Sequence, residues 1–319
     1  MNPQVISRET TNSGPFQPPS NDPGGNPLMD LIGASPSNDT PGIVPFAPAG
    51  NFVSYYGLKE NPFADCVHPA FFFRTDSHAE AVRSMMLAVE FRASLGLVTG
   101  PSGTGKTLVS QLLLQHFEEP KHRVVLVLVT PGLSKTGLLK EILSELNLAL
   151  PVGIARVQDL VRQLSNYIIE LHEQHGQRLV IIVDECHLLS SDCLHVIRTI
   201  SNIETPQEKL TTCLLFGESR LAHRLEHASY ASLSNRIYLR SELSPLSPEE
   251  VAQYVKFRLM TAGRLNELFT DAALKAIHEH AGGICRSVNK LAMLSLIEGA
   301  DRHSAIIDET MVLAATRRM

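Results

Sequence analysis

The chain has 319 residues, 44% of them hydrophobic and 19% charged, which is enough for one large domain or two smaller ones with a real core and excludes a disulfide-stapled mini-protein. Lys and Arg number 28 against 33 Asp and Glu, a formal charge of -5, so there is no global basic excess of the kind that drives nonspecific nucleic-acid binding, and only local patches remain open. Five cysteines at 66, 186, 193, 213 and 285 form no C-x-x-C pair, which argues against a disulfide framework or a zinc ribbon and for small buried residues in a reducing compartment.

The first 50 residues hold ten of the 19 prolines, six of the 20 glycines and a single basic residue, Arg8. Such a stretch buries too little apolar surface to offset its ordering entropy, so 1–50 is expected to be a disordered tail, with a docking peptide around 28–32 as the alternative. The start lacks the basic and apolar regions of a secretory signal, and no apolar run approaches the roughly 20 residues that cross a bilayer. The expected location is the cytoplasm.

From Asn51 the character changes: aromatics gather at Phe52, Tyr55, Tyr56, Phe63, Phe71, Phe72 and Phe73, and a helical pattern runs over 78–92. Strand-like and helical runs then alternate: a strand at 95–99, a helix from Lys106, a strand at 124–130, helices at 138–146 and 157–172, and a strand at 179–183. A helix at 193–203, a strand at 212–216, a short helix near Arg220 and a strand at 237–239 follow. Continuous β-branched runs between helices predict a parallel sheet covered on both faces. From Pro248 only helical patterns follow, at 248–260, 271–280, 286–298 and 308–315, with Ser247 and Thr270 as caps of the first two. The predicted division is a tail at 1–50, an α/β core at 51–244 and a small helical domain at 245–319.

Between the first strand and its helix stand Gly100, Pro101, Ser102, Gly103, Thr104, Gly105, Lys106 and Thr107. They fit G-x-x-x-x-G-K-[ST] in the strand-to-helix context that the motif requires. Glycines let successive backbone N–H groups wrap the phosphates of ATP, and the helix N-terminus adds its positive end. Lys106 is expected on the β and γ phosphates and the Thr107 hydroxyl on Mg²⁺. The complementary acid is expected at the end of another strand, where five apolar residues from Leu179 lead into Asp184 and Glu185. Asp184 would hold the Mg²⁺ shell and Glu185 would orient and deprotonate the attacking water. His187, with Cys186 and Cys193 nearby, fits no standard zinc spacing and is read as packed structure.

Four further strings make the sequence resemble the AAA+ ATPases of the general secretion pathway protein A (ExeA) type, relatives of the MuB and TniB transposition ATPases and of the Orc/Cdc6 group. They are Tyr55-Tyr56-Gly57-Leu58-Lys59-Glu60-Asn61-Pro62-Phe63; a following His78-x-Glu80-Ala81 helix; Ser201-Asn202-Ile203-Glu204-Thr205 with Glu208-Lys209-Leu210; and Gly282-Gly283-Ile284-Cys285-Arg286-Ser287-Val288-Asn289. The resemblance covers about 52–300. It implies an α/β P-loop NTPase core of the AAA+ kind with a small C-terminal helical lid domain. It also implies ATP and Mg²⁺ as ligands and ATP-dependent homo-oligomers. By it, Arg286 is the sensor-2 arginine reaching from the lid to the γ phosphate, and Arg236 is the arginine finger given to a neighbouring subunit. Arg220, Arg224 and Arg240 are further candidates for that second duty, and a surface salt bridge is the alternative for Arg236.

Two departures matter. Glu218 stands where the family has an amide that orients water, so an acid faces the γ phosphate unless it is paired or protonated. Cys285 replaces a proline at the start of the lid helix. The resemblance implies a mechanochemical ATPase acting on a partner complex, with secretion or envelope assembly as the expected setting. Membrane-anchored relatives carry a transmembrane helix and a peptidoglycan-binding region, which the sequence lacks, so contact with the inner membrane is expected only through a partner. A DNA-binding transposition-type ATPase and a weakly hydrolysing scaffold stay open beside it, although basic candidates such as Arg258 with Arg264, or Arg317 with Arg318, are short.

Overall fold

The structure is a computed structural model that describes residues 52–65, 69–117, 120–150 and 156–319. The expectations for 1–50 and for Cys66 lie outside the described residues. Chain order gives α1 (Phe52–Tyr55), α2 (Asp76–Glu90), β1 (Leu95–Thr99), α3 (Lys106–Phe117), β2 (His122–Leu128), α4 (Lys135–Glu145), α5 (Val157–His175) and β3 (Arg178–Asp184). It continues with α6 (Ser191–Ile200), β4 (Thr211–Gly217), α7 (Ser219–Glu226), α8 (Ala231–Ser234), β5 (Ile237–Glu242), α9 (Pro248–Thr261), α10 (Asp271–Ala281), α11 (Cys285–Asp301) and α12 (Glu309–Thr316).

The five strands form one sheet in the order β2-β3-β4-β1-β5, and every pairing is parallel. That bears out the expectation drawn from the apolar runs, because strands buried on both faces have no need to alternate polar residues. β1, β4 and nearly all of β3 are buried along their length. On one face Val98, Val180, Ile182, Leu214 and Phe216 pack against α2 and α3 through Met85, Val89, Val109 and Leu113. On the other, Leu97, Val127, Ile181 and Leu215 meet α4 to α8. The aromatics Phe52, Tyr56, Phe63 and Phe71 join neither layer and pack with Val251, Tyr254, Ile277, Leu291 and Leu296 of the C-terminal helices.

Helix ends follow the expected chemistry. Ser247 accepts from Glu250 N while the Glu250 carboxylate accepts from Ser247 N, a reciprocal cap with Pro248 in the first turn, and Thr270 accepts from Ala273 N. Helix α5 runs on to His175 because Gly176, at φ 64°, supplies the left-handed stop. Conversely α6 ends at Ile200 rather than 203, and the chain turns through a Glu204 to Lys209 antiparallel bridge. In β5 the register slips, Leu95 pairing Ile237 and Gly96 pairing Leu239, so Tyr238 is the extra residue of a bulge and is 68% exposed. No helix among the described residues is long and apolar enough to cross a membrane.

Candidate functional site

Strand register sets the site. Thr99 lies opposite Gly217, and Val183 lies opposite Leu215. The loop after β1, the acids ending β3 and Glu218 after β4 therefore emerge side by side at the C-terminal edge of the sheet, the edge at which open α/β sheets bind ligands.

In the glycine-rich loop Gly103 and Gly105 have φ of 82° and 99°, a region that side-chain-bearing residues rarely enter. A Cβ on Gly105 would lie 2.9 Å from His78 Nε2. His78 is what supports the loop from below: its Nε2–H donates to Thr104 O at 2.9 Å and its Nδ1 accepts from the Thr75 hydroxyl at 2.6 Å, the tautomer following from a carbonyl that can only accept. Burial pushes the His78 pKa down, so the ring is neutral. The sequence placed His78 in a family string without a role; nothing local marks it as the prop of a loop 26 residues away.

Lys106 opens α3 and is buried at 5% exposure. Its ammonium donates to Gly100 O at 3.0 Å and Pro101 O at 2.9 Å, and Thr104 Oγ1 donates to Pro101 O at 2.9 Å. Burial lowers its pKa, opposed by Glu185, Glu218 and Asp184, while Arg286 adds to the lowering. A buried cation resting on neutral carbonyls is suited to an anion entering the loop.

Asp184, 1% exposed, accepts Glu185 N–H on Oδ1 at 2.8 Å, while its Oδ2 is buried with no hydrogen-bond partner among the described residues. An orphaned carboxylate oxygen, with the Thr107 hydroxyl in the neighbouring cleft, fits a hard divalent cation such as Mg²⁺. Glu185 has φ 57°. A non-glycine residue there costs about 1–2 kcal/mol, and such strain concentrates at functional sites. Ser102, Gly103, Gly105, Lys106, Thr107 and Glu185 line one cleft of about 260 Å³.

Its far wall comes from the C-terminal helices. Arg286 N donates to Gly103 O at 3.2 Å, joining the start of α11 to the loop, and Arg286 Nε lies 3.6 Å from Asp65 Oδ2, both side chains exposed. Tyr254, Cys285 and Asn289 line the same wall. Tyr254 Oη donates to Asn289 Oδ1 and accepts from Arg258 Nη1, each at 2.8 Å, and Arg258 Nε donates to Pro62 O. Burial raises the Cys285 thiol to about 11, so it is an inert packing group. Three of the basic residues considered for DNA are engaged within the chain. Arg258 is 6% exposed and Arg264 donates to Tyr56 O, while Arg318 pairs with Glu298.

Glu218 stands at the N-cap position of α7 without a side-chain capping hydrogen bond, and its carboxylate is paired with Arg220 Nε at 3.1 Å. Arg224 is committed to His187 O, Leu189 O and the Tyr230 hydroxyl, and Arg240 to Ser234. Arg236 is not brought to the cleft. It enters β5 at the opposite edge of the sheet, and its guanidinium has no hydrogen bond or ion pair among the described residues.

Comparison with known proteins agrees with this geometry. A model of the AAA domain family matches residues 89–225. The fold is similar to Cdc6p of Pyrobaculum aerophilum, at a TM-score of 0.62 and 15% identity over 81% of this chain and 70% of that one. It is also similar to the Aeropyrum pernix ORC2 protein, at a TM-score of 0.61 and 15% identity over 81% and 71%. The chain has the AAA+ fold. In sequence it is 33% identical over 269 residues to General secretion pathway protein A of Aeromonas hydrophila, a match covering 83% of this chain. That bears out the resemblance drawn from the four strings. The matched region spans 48% of that relative.

Proposed function

We propose that this AAA+ chain binds and hydrolyses ATP and uses the cycle to assemble or remodel a partner complex of a secretion or cell-envelope system. The observation that carries the chemistry is the pairing of an orphaned Asp184 Oδ2 with a left-handed Glu185 beside a loop that already holds a buried lysine. In this reading loop 100–107 cradles the phosphates through its backbone N–H groups, Lys106 turns from its carbonyls to the β and γ phosphates, and Thr107 and Asp184 hold Mg²⁺. Bound there, Mg²⁺ supplies positive charge that offsets the charge developing on the phosphates.

Glu185 accepts a proton from a water as its oxygen bonds to the γ phosphorus. The bond from that phosphorus to the bridging oxygen breaks, and its electron pair stays on ADP. Arg286, already linked by its backbone to Gly103, swings its side chain from Asp65 to the γ phosphate and closes the helical lid, 245–319, on the core. Arg236 completes a neighbour's site within a homo-oligomer. Glu218, neutralised by Arg220, stands by the water without expelling the phosphate, which counts against the scaffold reading. Burial of Arg258 counts against a DNA-binding strip. In this reading the chain works in the cytoplasm and reaches the inner membrane through a partner.

Two variants test this. Lys106→Ala should abolish high-affinity binding of a fluorescent ATP analogue, whereas Glu185→Gln should bind it normally and release little phosphate. Wild-type protein that binds the analogue but releases no phosphate, with or without double-stranded DNA, would leave only the scaffold reading. Stimulation by DNA would favour the transposition-type one.

A further inference from the structure

His187 is buried, with a side-chain exposure of 3%, and it lies between two acids that belong to different strand ends. Its Nδ1 accepts the backbone N–H of Glu218 at 3.2 Å. An acceptor at Nδ1 leaves the neutral ring's hydrogen on Nε2, and Nε2 stands 3.7 Å from Glu218 Oε1. Both ring nitrogens are thus addressed to Glu218, one by its amide and one by its carboxylate. The same Nδ1 edge lies 3.5 Å from Glu185 Oε2. A lone pair already used by an amide offers no donor to that carboxylate, so the ring acts as a wall on one side of Glu185. Lys106 attracts the same carboxylate, Glu185 being the largest of the anionic influences on that ammonium. The backbone that carries the ring is held from outside, since Arg224 binds both His187 O and Leu189 O.

From this arrangement we infer that His187 is a positioning residue that sets the carboxylate of Glu185 toward the cleft and couples it to the Glu218 turn. The inference rests on Glu185 being the base, and it explains why an acid is tolerated at 218. Glu218 acts on the ring of His187 and on Arg220, and through the ring on the base. A displacement of the Glu218 turn by an arriving γ phosphate moves the ring whose edge defines where Glu185 stands.

The test uses the full chain and two substitutions. His187→Phe fills the volume without an acceptor. His187→Asn places Oδ1 near the former Nδ1 and keeps an N–H donor. The expected result is a fall in kcat of about ten- to a hundredfold for Phe, the scale of a small misplacement of a reacting group, with binding of a fluorescent ATP analogue within about twofold of wild type and most of the rate recovered in Asn. Equal rates in wild type and Phe overturn the inference. So does an equal loss in Phe and Asn that follows their melting temperatures, which is the signature of packing alone. If Phe does not fold, His187→Ala takes its place under the same criteria.

A second readout is independent of turnover. The backbone amide proton of Glu218, followed by NMR without nucleotide, should move upfield in Phe and return in Asn. An unmoved Glu218 amide overturns the coupling even if the wild-type chain hydrolyses nothing, a result that would instead remove the ATPase reading.

Discussion

Arg220 Nε stands 3.1 Å from Glu218 Oε2, so the acid beside the cleft carries its own counter-charge. Arg220→Ala should therefore leave a carboxylate facing the incoming phosphates. Affinity for ATP should fall about five- to tenfold, the size of ~1 kcal/mol between charges in a wet cleft. Adding Glu218→Gln to Arg220→Ala should restore binding. A double variant no better than Arg220→Ala, by titration with a fluorescent analogue, would show that Arg220 contacts the nucleotide directly.

Gly283 is a second point where a small change reaches the site. It has φ 71°, and a Cβ there would overlap Leu246 O, at the place where Leu246 N donates to Gly283 O. Both partners are backbone, so nothing flexible can yield. Gly283→Ala should cost about 2–3 kcal/mol, combining left-handed strain with overpacking, read as a lower denaturation midpoint. An unchanged midpoint would mean that the turns leading into α9 and α11 adjust freely.

Much of this was legible because the signals are local. Strand β1 matches its predicted span to the residue and β3 differs only at its ends, since runs buried on both faces need no partner to be recognised. Ser247 with Glu250 announces a helix start within four residues. What escaped has long sequence separation or too little length. α1 and α8, of four residues each, fall below any helical period. The packing of Phe52 and Phe63 on the C-terminal helices joins segments far apart in the chain. The support that His78 gives Thr104, and the grip of Arg258 on Pro62, are tertiary hydrogen bonds that no pattern of residue types encodes.

The buried ring of His78 makes the loop sensitive to acid. Its folded pKa lies below the ordinary 6.5, through burial first, opposed by its bond to Thr104 O and by Glu250. The unfolded chain therefore binds the proton at a higher pH than the folded one. The stability this residue contributes is fully present above about pH 6.5 and is lost as pH falls toward the folded value. Between pH 7 and 5 the melting temperature of wild type should drop more than that of His78→Gln, whose amide still donates to Thr104 O without titrating. Parallel curves for the two proteins would assign the acid sensitivity to other groups.

Whether the active unit is an oligomer turns on Arg236. It lies at the sheet edge opposite the cleft, where Leu95 pairs Ile237, so it cannot serve its own chain's phosphates without unravelling β5. Arg236→Ala should therefore bind ATP normally yet hydrolyse on the order of 10³-fold more slowly, since the developing charge loses its cation. The defect should be shared between subunits. When Arg236→Ala is mixed with Glu185→Gln at equal amounts, roughly a quarter of randomly formed head-to-tail interfaces set an intact Glu185 against an intact Arg236. Activity should then rise well above the sum of the two inactive proteins. A mixture that only matches that sum, while labelled subunits are seen to exchange, would show that the guanidinium does not act across an interface and leave Arg236 as a surface residue at the entry to β5.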